Sequence, residues 1–154
     1  MNESPVGTTA AARRRGLLLI WCGQLFMLAL LYFLTYVIEP QTDAGDNHTL
    51  AWVLGAVGFT TFLGSFLVKR KLLAEAAAKR RFDLGTTAYI LAFAMCESTA
   101  ILGFVAYLVT GLPYALHSFI LAAVGILLHF PARDALEGIG SGGNPTGADF
   151  KTTL

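Results

Sequence analysis

The chain has 154 residues, of which 55% are hydrophobic and only 14% charged, with a formal net charge of +1. Apolar residues exceed, and charged residues fall well below, their usual share in a soluble domain, which excludes an independent soluble domain. No nucleophile–base pair, phosphate-binding glycine loop or metal-ligand cluster is visible, so no enzyme, cofactor, metal site or nucleic-acid partner is expected.

Four apolar runs account for the composition, at about residues 16–38, 50–68, 84–109 and 113–130. Each is long enough to cross the hydrocarbon core as a helix. The expected fold is an all-α membrane protein, one polytopic domain over 1–154 with four transmembrane helices in antiparallel hairpins. Residues 1–12 and 138–154 are small, polar or glycine-rich and are expected to be flexible tails.

Placing the charges orients this scheme. Arg13, Arg14 and Arg15 precede the first run; Lys69, Arg70, Lys71, Lys79, Arg80 and Arg81 lie between runs two and three; Arg133 and Lys151 follow the fourth. All 11 basic residues therefore fall on one side of a four-span arrangement. The other side carries Glu39, Asp43, Asp46 and His48. By the positive-inside rule both termini are expected to be cytoplasmic, and the expected location is the bacterial inner (cytoplasmic) membrane.

Run one is too long for a signal-peptide core and no small-x-small cleavage site follows it, so it reads as a retained span. Gln24 sits about a turn short of its middle, where an amide side chain is expected to hydrogen-bond to a neighbouring helix. Cys22 and Cys96 lie inside spans and are expected to be buried, small apolar residues. Tyr32, Tyr36 and Trp52 approach the outer boundary as interfacial anchors. Run two mixes Gly55, Gly58 and Gly64 with Phe59, Phe62 and Phe66. The connector after it, KRKLLAEAAAKRRFD, is expected to be helical around its alanines, with Glu75 and Lys79 as an i,i+4 pair. It reads equally as a cytoplasmic docking knob or as a loop held at anionic headgroups. Between runs three and four, Gly111 and Pro113 mark a helix stop and a helix start, and so a tight hairpin.

Run three carries the chain's one mid-membrane ionisable residue, Glu97. A carboxyl group in hydrocarbon is costly and disfavours its charged form, and by default it marks function. At about 100° per residue, Ile90, Phe93, Ala94, Ala100, Ile101 and Phe104 share its side of the helix. Gly85, Ala88, Ala92, Thr99, Gly103 and Ala106 form a small-residue stripe roughly opposite, with Cys96 at its edge, suited to close packing on another helix. This reading presents the carboxylate outward, with Gln24, Thr60, Thr61 and Ser98 as possible hydrogen-bonding support.

Residues 94–104 read Ala-Met-Cys-Glu-Ser-Thr-Ala-Ile-Leu-Gly-Phe, behind a small-residue segment Leu-Gly-Ala-Val-Gly at 54–58 and a basic, alanine-rich loop. This arrangement resembles the subunit c proteolipids of rotary ATP synthases over about residues 50–109. Runs one and four have no counterpart in that family's two-helix form. The resemblance implies that Glu97 is the ion-binding carboxylate of a homo-oligomeric, ion-coupling (H⁺ or Na⁺) subunit in the lipid bilayer. Two other functions fit the residues. One is a structural or accessory subunit of a larger membrane complex, with Glu97 paired to a partner's cation. The other is a small cation transporter, with Tyr89, Phe93, Phe104 and Tyr107 lining a site around Glu97.

Overall fold

A computed structural model describes residues 5–40 and 47–131. Every regular element among them is helical: α1 (Pro5–Val37), α2 (His48–Lys79), α3 (Phe82–Thr110), a 3-10 turn (Pro113–Leu116) and α4 (His117–Leu128). α1, α2 and α3 are long and apolar enough to cross a membrane. Their 33, 32 and 29 residues correspond to about 50, 48 and 44 Å, against a hydrocarbon core of about 30 Å.

The helix boundaries depart from the apolar runs. α1 begins at Pro5, so residues 5–12, expected to be flexible, are helical; proline suits a first helical position and the following alanines extend it. Residues 138–154 lie outside the described residues. The fourth run is not one long helix. Its 3-10 turn and the 12 residues of α4 together span about 26 Å. Proline has no N–H and opens the element, and His129 leaves helical geometry two residues before Pro131.

Helix ends follow local chemistry. α2 runs through the alanine-rich connector and stops at Arg80, in the left-handed conformation (φ 49°). There the Arg81 N–H donates to the Ala76 carbonyl at 2.9 Å and the Arg80 N–H to Ala77 at 3.3 Å, which is a Schellman stop. α3 stops at Gly111 (φ 66°), whose N–H donates to the Tyr107 carbonyl at 2.8 Å. A residue without Cβ adopts that φ without penalty.

α3 is the centre of the bundle. α2 packs antiparallel to it: a Cβ at Gly58 would touch Thr99 Cγ2 at 3.4 Å, and one at Gly64 would meet Met95 Cε at 3.1 Å. α4 is antiparallel on a second side. A Cβ at Gly103 would run into Ser118 and stand 2.9 Å from the Ala115 carbonyl oxygen, and one at Gly125 would stand 2.6 Å from Cys96 Sγ. α1 runs parallel to α3 along a third side. Leu17 and Trp21 join Tyr89 and Phe93 in one cluster, while Leu25, Leu28 and Leu31 join Cys96, Ala100 and Phe104 in another. Trp21 also ties α1 to α4, its indole N–H donating to the Ile126 carbonyl at 2.8 Å.

Gly85, Ala88, Ala92, Thr99, Gly103 and Ala106 are all buried, but the buried surface of α3 is wider than that stripe and takes in Tyr89, Phe93, Cys96 and Ala100. Large apolar side chains cover the outside, among them Phe26, Phe33, Leu63, Leu67 and Ile120, as a lipid-facing surface does. Trp52 is 70% exposed near one end. Cys96 is buried as expected, whereas Cys22 is exposed; it lies on the side of α1 turned away from α3.

Candidate functional site

Glu97 sits near the middle of α3 and is half-buried. The side of the helix expected to present it outward is divided. Ile90, Ala94 and Ile101 are exposed, Phe104 is half-buried, and Phe93 and Ala100 are fully buried against α1. The outward-facing carboxylate of the sequence reading is corrected accordingly: Glu97 lies along the seam where α1 meets α3. The cause is α1, whose large side chains need a partner and find it on the Phe93–Ala100 side.

No hydrogen bond or ion pair joins Glu97 to another described residue. Three of its four expected supports are turned to their own helices. Thr60 and Thr61 donate to the Val57 carbonyl at 2.9 and 2.8 Å, and Ser98 donates to Ala94 at 2.8 Å. A hydroxyl on an apolar helix has its own i−3 or i−4 carbonyl as the nearest acceptor. α2, which carries Thr60 and Thr61, packs on the Thr99 side of α3, away from Glu97. Gln24 differs: its Oε1 is buried and has no hydrogen-bond partner among the described residues. The aromatic set is not gathered around the carboxylate either, since Tyr89 and Phe93 are fully buried with Leu17, Trp21 and Leu73.

A second polar group lies where α2, α3 and α4 meet. Ser65 Oγ donates to the Phe62 carbonyl at 2.7 Å and lies 2.9 Å from His129 Nε2. The Cys96 S–H donates to the same oxygen at 3.7 Å. Ser65 has one proton, and with it committed to Phe62, Nε2–H of His129 is the donor in the second contact. His129 Nδ1 is then a bare acceptor, buried and without a partner among the described residues. Ser65 and Cys96 are 0% exposed and His129 1%. Phe66 packs edge-on to the imidazole, with centroids 4.5 Å apart. The hydroxyl proton is occupied and the trio is sealed, so the group acts as a clamp holding three helices at one depth.

The residue types of this clamp gave no signal, because its serine, cysteine and histidine lie on three separate runs. A depth comparison does find it. Ser65 and His129 both lie near the C-terminal ends of runs two and four, which run in the same direction because each is antiparallel to run three, so the up-and-down topology brings them level.

Beyond the clamp, Lys69 places its ammonium 4.6 Å from the Tyr89 ring centroid, a cation–π contact. At the α2–α3 tip, Lys79 pairs with Glu75 at 2.6 Å and Arg81 with Asp83. At the opposite end the His48 ring stacks on Tyr114, centroids 6.2 Å apart, and His117 Nδ1 lies 2.7 Å from the Tyr114 carbonyl oxygen. Among the described residues no three His, Cys, Asp or Glu side chains come together as metal ligands. Comparison of the chain with models of known protein families, with curated proteins and with solved structures gives no match.

Proposed function

We propose that this chain is a small integral membrane protein, of the bacterial cytoplasmic membrane, that crosses the bilayer four times with both termini cytoplasmic. In this reading Glu97 binds and releases a proton or Na⁺ as the working group of a proteolipid-like, ion-coupling subunit present in several copies. The observation that carries it is the state of Glu97: a half-buried carboxyl midway along a 29-residue apolar helix, without a counter-ion among the described residues. Such a group is too costly to be retained as ballast. The α2–α3 hairpin, joined by a basic helical connector with the carboxylate on its second helix, supports the likeness to subunit c proteolipids.

Reconstitution into liposomes tests the proposal. Glu97→Gln is expected to insert normally and to abolish ion movement, and a carbodiimide that modifies protonated carboxyls is expected to label Glu97. Ion movement that survives Glu97→Gln ends the proposal.

One observation favours a second reading, an accessory subunit of a larger membrane complex. α1 leaves most of its apolar circumference exposed, a surface that another subunit could cover while supplying a Lys or Arg to Glu97. A partner that co-purifies with the wild-type chain and is lost from Glu97→Ala would decide for it.

A further inference from the structure

We infer that the ion carried by Glu97 is a proton, and that the acceptor for its carboxyl O–H is the side-chain oxygen of Gln24 on α1. The inference rests on the proposal that Glu97 is an exchangeable acid and specifies its ligand and its partner.

The packing of α1 on α3 supplies the register. Leu17 and Trp21 cluster with Tyr89 and Phe93, and Leu25, Leu28 and Leu31 with Cys96, Ala100 and Phe104. The helices are parallel, so Gln24, between Trp21 and Leu25, is level with Glu97, between Phe93 and Ala100. Direction follows from the helical turn of about 100° per residue. Trp21 and Tyr32 mark the α4 side of α1, through Ile126 and Phe119. Gln24 is rotated from both by about 60–80° toward the side that Leu17 presents to α3. On α3, Phe93, Ala100 and Phe104 lie within about 60° of Glu97, all on the α1 side. The two side chains therefore flank one seam.

Their chemistry is complementary. Gln24 Oε1 is a buried acceptor with no partner among the described residues, a condition that is costly in a protein interior. A protonated carboxyl has one O–H to donate, and a carboxylate has none. An acceptor at Gln24 can therefore bond only the protonated form of Glu97, and uptake of a proton fastens α1 to α3.

The same surroundings disfavour Na⁺. A dehydrated alkali cation needs a shell of oxygens to replace its water, usually from unwound helix backbone. α1 and α3 are continuous through this level, so their carbonyls are committed to helix bonds. Ser98 is exposed and bonded to Ala94, which leaves only the two side chains. The other titratable groups nearby are Cys96, turned toward Ser65 and Gly125, and Cys22, exposed on α1.

Infrared difference spectra of the full chain in phosphatidylcholine liposomes, between acid and alkaline buffer, test the pairing. A protonated-carboxyl C=O band is expected that is absent from Glu97→Gln and moves to higher frequency in Gln24→Met. Gln24→Asn, which keeps an amide oxygen one methylene back, is expected to move it less. A band unmoved in both variants overturns the role of Gln24. Carbodiimide labelling of Glu97 is expected to fall with rising pH and to be indifferent to Na⁺ against choline; protection by Na⁺ overturns the assignment to a proton. If Glu97→Gln removes no band and Glu97 takes no label, the exchangeable acid itself is lost, an outcome distinct from the other two.

Discussion

Thr99 Oγ1 donates to the Gly58 carbonyl oxygen at 3.0 Å, across the seam between α3 and α2, and also lies 3.2 Å from the Met95 carbonyl of its own helix. Gly58 permits the approach, since a Cβ there would already be in contact with Thr99. Thr99→Val keeps the shape and removes the interhelical bond. It is expected to cost about 0.6 kcal/mol and at most about 1.7, the range for such bonds in membranes, read from equilibrium unfolding in mixed micelles. An unchanged midpoint would mean that packing alone holds the seam.

Gly103 and Gly55 make opposite forecasts for the same substitution. A Cβ at Gly103 meets Ser118 and the backbone of Ala115, whereas one at Gly55 finds nothing within 4 Å. Gly103→Ala forces α3 and α4 apart, at about 1–3 kcal/mol for overpacking. Gly55→Ala is expected to be neutral or to stabilise by up to about 1 kcal/mol through helix propensity. Thermal unfolding of the two variants side by side checks the pair.

Ser65→Ala removes the oxygen that receives both the imidazole N–H and the thiol S–H. It is expected to cost about 1–3 kcal/mol, because the orphaned donors stay buried. His129→Phe in the same background is expected to recover part of that loss, since it removes one orphan and sets a ring beside Phe66. A double-mutant cycle on Ser65 and His129 measures the coupling; additivity would show that the hydrogen bond contributes nothing.

The α2–α3 tip is expected to loosen in acid. Lys79, bonded to Glu75, holds that carboxyl below its usual range, and Arg81 does the same for Asp83. A carboxylate whose folded value is depressed adds stability above its unfolded value, near 4, and loses it as pH falls through the folded value. Both pairs are exposed, so the effect is small and screened by salt. Amide-exchange protection at residues 76–83, taken relative to the intrinsic exchange rate at each pH, is expected to fall below about pH 4, and less so at high salt. Lys79→Met is expected to remove the Glu75 share of the pH dependence.

Run lengths and helix stops are written locally, and they can be read from the chain alone. The apolar stretches at 16–38, 50–68 and 84–109 each lie within a long helix except for Ile38; Gly111 and Pro113 mark the turn that follows α3, and the alanines of the connector carry α2 to Lys79. These features depend on hydropathy, on φ and on a missing N–H, none of which needs a neighbour. Which side of each helix faces inward is not written that way. A membrane helix is apolar all round, so hydropathy has no inward phase, and small-residue spacing alone located only part of the buried side of α3. Tertiary packing decided the rest. It gave the Phe93–Ala100 side to α1, left Glu97 on a seam and not an open face, and brought Ser65, Cys96 and His129 to one depth. Those outcomes depend on the shapes of three other helices, because steric fit and paired polar groups, not burial from water, select the contacts of a helix in lipid.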